Sequence, residues 1–317
     1  MSAALLVVIG LIGLVVGGEM LVRGAVSAAK SFGISPMVIG LTLVGFGTST
    51  PELVTSLQAA LSGSSGIAIG NVVGSNIGNV LLILGIAALI APIAVDPKAF
   101  RRDGTVTVVA TLICLGAVLL GEIGRLIGAG LVTALAAYLG FTLWSEKRTG
   151  GTPAAAVYEN EADAVVGPET SIGISLLICI AGLAITIFGA RFLVSGAVSL
   201  AQAAGLSETA IGLTIVAIGT SMPELVTSII AVRKGEGAVA LGNVLGSNIF
   251  NILGILGITV LVQPMTVPTE IVRLDIWVLC ATTLILMAFA RSGWKINRRE
   301  GGLFVFAYIA YLVVLLA

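Results

Sequence analysis

Residues 40–85 contain GLTLVGFGTSTPELVTS (40–56) and AIGNVVGSNIGNVLLILG (68–85). Residues 212–257 repeat them as GLTIVAIGTSMPELVTS (212–228) and ALGNVLGSNIFNILGILG (240–257), at a constant offset of 172 and without a gap. Of the 46 aligned positions, 28 are identical. Each copy sets one carboxylate, Glu52 or Glu224, in an otherwise apolar stretch beside hydroxyls, a proline and amides. What a duplicated core of acid, hydroxyl and amide means depends on the medium around it.

Composition supplies that medium. The chain has 317 residues, of which 57% are hydrophobic and 10% charged, and its mean hydropathy is +1.14. Soluble domains carry about 25% charged residues. A membrane-spanning helix takes about 20 apolar residues, so the length allows roughly ten spans. Net charge is zero, which gives no footing for nucleic-acid binding. The chain has no histidine, and so lacks the usual zinc ligand and the commonest general base. Cys114, Cys179 and Cys280 lie far apart in apolar runs and read as small core residues. The N-terminal apolar run lacks a basic leader and reads as the start of a helix, not a cleaved signal peptide.

Apolar runs and turn signals predict ten transmembrane helices: 3–31, 36–61, 67–90, 104–120, 122–143, 171–203, 208–231, 238–261, 270–290 and 300–316. The expected fold class is an all-α membrane protein. A polar stretch, 145–170, carries Glu159, Glu161 and Asp163 without EF-hand spacing and reads as a solvated linker. It separates a first five-helix half, 1–144, from a second, 171–317. With ten spans, one side of the membrane collects Lys30, Lys98, Arg101, Arg102, Lys147, Arg148, Arg233, Lys234, Arg291, Lys295, Arg298 and Arg299. The other holds Arg125 and Arg273. The basic side is expected to be cytoplasmic, with both termini extracytoplasmic. Five is odd, so the second half enters from the opposite side and the halves form inverted repeats. GAVSAAKSFGIS (24–35) and GAVSLAQAAGLS (196–207) extend the likeness upstream.

The polar positions carry the chemistry. Pro51 and Pro223 have no N–H, which frees the carbonyls of Gly47 and Gly219. Breaks at 47–48 and 219–220 are therefore expected in helices 2 and 7, the alternative being a plain kink. Unwound backbone at mid-membrane lines a cavity or lies buried in protein. Thr48 and Glu52 share a helix face, as do Thr220 and Glu224. Ser49 and Ser221 lie three residues before the glutamates. An ionised carboxylate at the bilayer centre costs roughly 2.5–3.5 kcal/mol on the lenient scale. No basic residue stands in either motif, so a cation or a proton must offset that charge. In helices 3 and 8, Asn71, Ser75 and Asn79 recur every four residues, and Asn243, Ser247 and Asn251 repeat them. Structural bonding and ion ligation are both open for these stripes, with ligation favoured for Ser75, Ser247, Asn79 and Asn251. Asn76 and Asn248 point elsewhere and suit interhelical hydrogen bonds. The donor set is oxygen only, which suits Ca²⁺ and Na⁺ better than Mg²⁺ or soft metals.

At these residues the chain resembles the calcium/cation antiporter superfamily, and within it the prokaryotic Na⁺/Ca²⁺ exchangers of K⁺-independent type. The motifs GTSTPE with GNVVGSNIGN and GTSMPE with GNVLGSNIFN carry the likeness, which covers essentially the whole chain. The resemblance implies a ten-helix fold with helices 1 and 6 long and tilted. It also implies a site built by helices 2, 3, 7 and 8. Glu52 and Glu224 would be the central ligands shared by Ca²⁺ and Na⁺. Thr48, Ser49, Ser75, Thr220, Ser221 and Ser247 would complete the sites, with backbone carbonyls at Gly45 and Ala217. Asn251 departs from relatives that carry Asp there, notably the K⁺-dependent exchangers; it argues against K⁺ cotransport and removes a possible third carboxylate.

The expected function is antiport of Na⁺ and Ca²⁺ by alternating access in an inner or plasma membrane of prokaryotic type. The ions would compete for one site and no resident cofactor would be needed. Ca²⁺/H⁺ exchange is the first alternative, followed by K⁺-dependent exchange and a passive cation channel. No nucleophile–base pair or catalytic metal motif stands out, so an enzyme is not expected. The oligomeric state is left open.

Overall fold

The computed structural model describes residues 2–31, 45–149 and 171–316. Its helices are α1 (Ala3–Ser31), α2 (Gly45–Thr48), α3 (Thr50–Leu61), α4 (Ser65–Ile90), α5 (Pro97–Leu119) and α6 (Arg125–Thr149). There follow α7 (Ile172–Ala204), α8 (Glu208–Thr220), α9 (Met222–Arg233), α10 (Gly237–Val262), α11 (Ile271–Arg291) and α12 (Arg298–Leu316). Among the described residues eight of these helices are long and apolar enough to cross a membrane, and the bent pair α8–α9 makes a ninth. The expected second helix, 36–61, is described only from Gly45; residues 36–44 lie outside the described residues.

Two expected helix bounds need correction. Helix α5 begins at Pro97 and not at 104. Asp96 caps it, its carboxylate accepting from Lys98 N at 2.9 Å and Ala99 N at 2.7 Å, and Pro97 occupies a first-turn position where its missing N–H costs nothing. Helix α6 runs to Thr149, past 143 and into the stretch read as linker. Glu146, Lys147 and Arg148 are good helix formers and extend it; residues 150–170 lie outside the described residues. The fold is mostly helical, in keeping with the expected class, with two short strand pairs added. Strands β1 (Ile93–Ala94), β2 (Glu122–Ile123), β3 (Met265–Thr266) and β4 (Lys295–Ile296) form two antiparallel pairs. Ile93 faces Ile296 in one pair, and Glu122 faces Thr266 in the other. Each pair thus joins a strand from before the linker to one from after it.

The two sequence copies fold alike where both are described. Helices α3 and α9 each have 12 residues. Each ends in a glycine with positive φ, Gly63 at 82° and Gly235 at 84°. The turns close with the same bond, Ser64 N to Ala59 O and Glu236 N to Ala231 O, both 2.9 Å. This satisfies a carbonyl at the helix end, and glycine alone adopts that φ without strain. Helices α4 and α10 both widen into a π-helical turn, over Asn79–Leu84 and Phe250–Leu256. On helices α5 and α11, Thr111 and Thr283 occupy equivalent positions and their hydroxyls touch each other at 3.3 Å.

Burial sorts the helices into a centre and a rim. In their most apolar windows α4 and α10 are 78% and 83% buried, while α6, α7 and α12 are each 22% buried. Helices α1 and α7 lie antiparallel against each other. A Cβ at Gly10 would meet Leu193 N at 2.5 Å, one at Gly17 would meet Thr186 N at 2.6 Å, and one at Gly24 would meet Cys179 N at 2.6 Å. From the other side, Gly182 would press on Leu21 and Gly189 on Leu14. Glycine every seventh residue lets the two backbones approach, and dispersion at that distance replaces the hydrophobic drive that lipid does not supply. The α1 side chains Val22 and Leu11 cover Gly47 and Gly219, each occupying the space a Cβ would need.

Gly17→Ala should cost about 1–3 kcal/mol, because the added methyl meets backbone that cannot turn aside. Gly116→Ala, with nothing within 4 Å of its Cβ, should be neutral or slightly stabilising. Thermal unfolding of both variants in one detergent checks this; equal melting temperatures would refute the close-packing account.

Candidate ion-binding site

Local chemistry sets two helix breaks. Pro51 and Pro223 sit in the first turns of α3 and α9, where a missing N–H interrupts the hydrogen-bond ladder. The chain turns at Ser49 (φ −88°, ψ 7°) and at Ser221 (φ −83°, ψ 12°). Both lie one residue beyond the break expected at 47–48 and 219–220, because Thr48 and Thr220 still close the preceding helices. Helices α8 and α9 meet at 47°. The turn places Glu52 and Glu224 in the first turn of a new helix, where the helix dipole favours negative charge.

The two breaks face each other. Ser221 Oγ donates to Glu52 Oε1 at 2.9 Å, and Ser49 Oγ donates to Glu224 Oε1 at 3.3 Å. Both glutamates are 1% exposed. Each is therefore held by the serine of the other copy. Among the described residues no lysine or arginine pairs with either glutamate; the ion pairs present are Arg23–Glu19 and Arg102–Asp103. No group of three or more His, Cys, Asp or Glu residues capable of holding a metal ion occurs among the described residues. The site is two carboxylates amid neutral oxygens.

Helices α4 and α10 brace it. Asn71 Nδ2 donates to the main-chain oxygen of Glu52 at 3.2 Å and to Ser56 Oγ at 2.9 Å. Asn243 Nδ2 does the same to Glu224 O at 3.4 Å and Ser228 Oγ at 3.2 Å. Thr220 Oγ1 donates to Asn71 Oδ1 at 3.0 Å, which ties the second break to the first glutamate helix. Asn71 and Asn243 are thus structural members of their stripes. Asn248 makes the expected interhelical bonds, while Asn76 Nδ2 donates within its own helix to Val72 O at 2.7 Å.

Several buried oxygens have no partner: Glu52 Oε2, Glu224 Oε2, Ser75 Oγ, Asn79 Oδ1 and Asn251 Oδ1. These five belong to residues singled out in the sequence; Thr55, Asn76, Thr142, Thr259, Asp275 and Tyr308 also each leave a buried oxygen without a partner. Ser247 stands at the position equivalent to Ser75 and is 5% exposed. Asn79 and Asn251 each fall in a π-helical turn, the wide turn that recurs at functional sites. Thr48 and Thr220 close the helices before the breaks, and Thr220 is wholly buried. Gly45 begins α2. The Ala217 carbonyl accepts from Ser221 N at 3.1 Å, so it is engaged within the chain. The sequence reading missed Tyr308. It lies on α12, outside the duplicated segments 40–85 and 212–257, yet lines a small cavity with Ser75, Gly78, Ala217 and Ser221. No periodic or motif signal marks it.

The family model described as "Sodium/calcium exchanger protein" matches residues 2–144 and 174–317. The chain belongs to the sodium/calcium exchanger family. That family consists of membrane transporters, and the chain is an integral, multi-pass membrane protein. It is 38% identical to the putative antiporter CaxA of Alkalimonas amylolytica over 99% of this chain and 98% of that protein. It is 36% identical to the sodium/calcium exchanger MaX1 of Methanosarcina acetivorans over 98% of this chain and 97% of that protein. The solved structure of the sodium-calcium exchanger NCX_Mj soaked with 10 mM Na⁺ and 10 mM Sr²⁺ matches with a TM-score of 0.63 and 33% identity. That match covers 98% of this chain and 97% of NCX_Mj.

Asn71→Ala should lose about 1–2 kcal/mol of stability, since three buried polar groups lose a partner at once. Ser56→Ala should lose about 0.6 kcal/mol, the usual size of one intramembrane hydrogen bond. Denaturant unfolding in detergent checks this; an Asn71 variant no weaker than the Ser56 variant would refute the bracing role.

Proposed function

We propose that this exchanger-family protein carries Na⁺ and Ca²⁺ in opposite directions through one site centred on Glu52 and Glu224. The observation that carries the reading is the set of partnerless buried oxygens, Glu52 Oε2, Glu224 Oε2, Ser75 Oγ, Asn79 Oδ1 and Asn251 Oδ1. Most buried polar atoms in proteins are paired, and hard cations bind oxygen in flexible geometry. Ser49, Ser221, Ser247, Thr48 and Thr220 supply neutral oxygens beside them, with the carbonyls of Gly45 and Ala217 as further ligands. Two carboxylates neutralise one Ca²⁺, so the ions bind in competition. Both are cargo, and the site calls for no resident cofactor.

Ser49 and Ser221 suit a site that takes a cation. A hydroxyl is both donor and acceptor. Ser49 and Ser221 donate to the glutamates. When a cation arrives, each hydroxyl rotates and turns a lone pair toward it. An occupied core is close to neutral, which lets the long helices α1 and α7 shift across it. An empty core keeps two carboxylates, which oppose the shift. A ligand moves such an equilibrium only through its different affinity for the two states.

The fuller architecture belongs to the same proposal. Residues 1–144 and 171–317 form two inverted five-helix halves with breaks in their second helices, joined by a polar linker. The antiparallel packing of α1 on α7, the exchanged strand pairs and the contact of Thr111 with Thr283 support this. The basic loops would face the cytoplasm and both termini the outside.

Proteoliposomes loaded with Na⁺ should take up ⁴⁵Ca²⁺ only while the sodium gradient lasts, and Glu52→Gln and Glu224→Gln should each abolish uptake. Uptake that follows a pH gradient and ignores Na⁺ would replace this reading with Ca²⁺/H⁺ exchange. Full activity in both glutamine variants would remove the proposed site.

A further inference from the structure

A side-chain amide offers an oxygen at one end and an NH₂ at the other, in nearly the same shape. Only the oxygen can ligate a cation. At Asn79 something must therefore fix which end faces the site. The main-chain oxygen of Asn76 can only accept. Asn248 Nδ2 donates to it at 3.3 Å. That bond turns Asn248 Oδ1 the other way, where it accepts from Asn79 Nδ2 at 3.0 Å. The Asn79 nitrogen is thus committed, and Asn79 Oδ1 is left as a buried oxygen without a partner. It lies one turn beyond Ser75, whose Oγ is equally without a partner. Asn76, Asn79 and Asn248 are at most 1% exposed, so bulk water does not compete for these bonds.

We infer that Asn248 is a positioning residue for the ion site: it holds the Asn79 amide with its oxygen toward the bound cation. The inference rests on the exchange reading above. Asn248 needs no contact with the ion. It transmits the fixed polarity of a backbone carbonyl on α4 to a ligand on the same helix, by way of α10. The equivalent chain is not built in the other copy. Asn76, the counterpart of Asn248, spends its Nδ2 on Val72 O and leaves its Oδ1 unpartnered. Asn251 Oδ1 has no partner either. Two positions that the sequence makes equivalent, Asn79 and Asn251, are therefore unequal: the Asn79 amide is oriented by Asn248, and the counterpart bond that would orient Asn251 is missing.

The test is equilibrium ⁴⁵Ca²⁺ binding to purified full-length protein in detergent. It compares wild type, Asn248→Ala, Asn79→Ala, the double variant of these two, and Asn248→Ala combined with Asn251→Ala. Asn248→Ala should weaken Ca²⁺ binding roughly tenfold, because the Asn79 amide is then free to present its NH₂. In the Asn79→Ala background the same change should shift binding by less than about twofold, the behaviour of residues acting as one unit. In the Asn251→Ala background the full loss should persist. Should Asn248→Ala fail to fold, Asn248→Leu keeps the side-chain volume without the acceptor and is expected to behave alike. Equal losses with and without Asn79, or no loss in the wild-type background, would overturn the positioning role while leaving the exchange reading intact. A wild-type protein that binds neither ⁴⁵Ca²⁺ nor ²²Na⁺ would overturn both.

Discussion

Two carboxylates buried without a basic partner are the constraint on which this molecule turns. Glu52 and Glu224 lie in a bundle whose surroundings give them little hydration, and no lysine or arginine among the described residues pairs with them. Each relies on a hydroxyl from the opposite copy. That reciprocity explains much of the architecture. The prolines turn the chain so that each serine and its neighbouring glutamate face across the centre. Asn71 and Asn243 hold the glutamate helices by their main-chain oxygens, leaving the carboxylates themselves available. The most buried helices, α4 and α10, supply those asparagines.

Much of this was legible in the chain because polar residues are costly in lipid. The matched glutamates, serines and asparagines stood out against apolar runs, and the described structure brings most of them together. The helix breaks were displaced by one residue, since the proline marks a missing donor while the turn itself falls where the next helix can begin. The early start of α5 was readable in principle from Asp96–Pro97, a capping pair, but the charged residues after it obscured a helix that begins outside the apolar run. The strands could not be read. Two residues make no alternating pattern, and each strand depends on a partner far away in the sequence. Tyr308 was hidden for a similar reason, since nothing local distinguishes an aromatic that meets the cavity from one that meets lipid.

Sequence symmetry and structural symmetry part company at the asparagines. Asn71 and Asn243 make matching bonds, yet Asn79 and Asn251 do not, because Asn76 and Asn248 have made different choices of partner. Near-identical sequence therefore does not impose identical hydrogen bonding. A buried amide has few donors and acceptors to spend, and spending one on the local helix removes it from the partner helix.

The strand pairs carry a consequence for how the chain is made. Ile93 must wait for Ile296, and Glu122 for Thr266, so during synthesis the first half leaves the ribosome with both of its strands incomplete. Contacts between residues so distant in sequence form late and slowly. The nascent first half would be a set of inserted helices whose ends stay open until the second half arrives to close them. Duplication, in this arrangement, has produced halves that depend on each other to be complete.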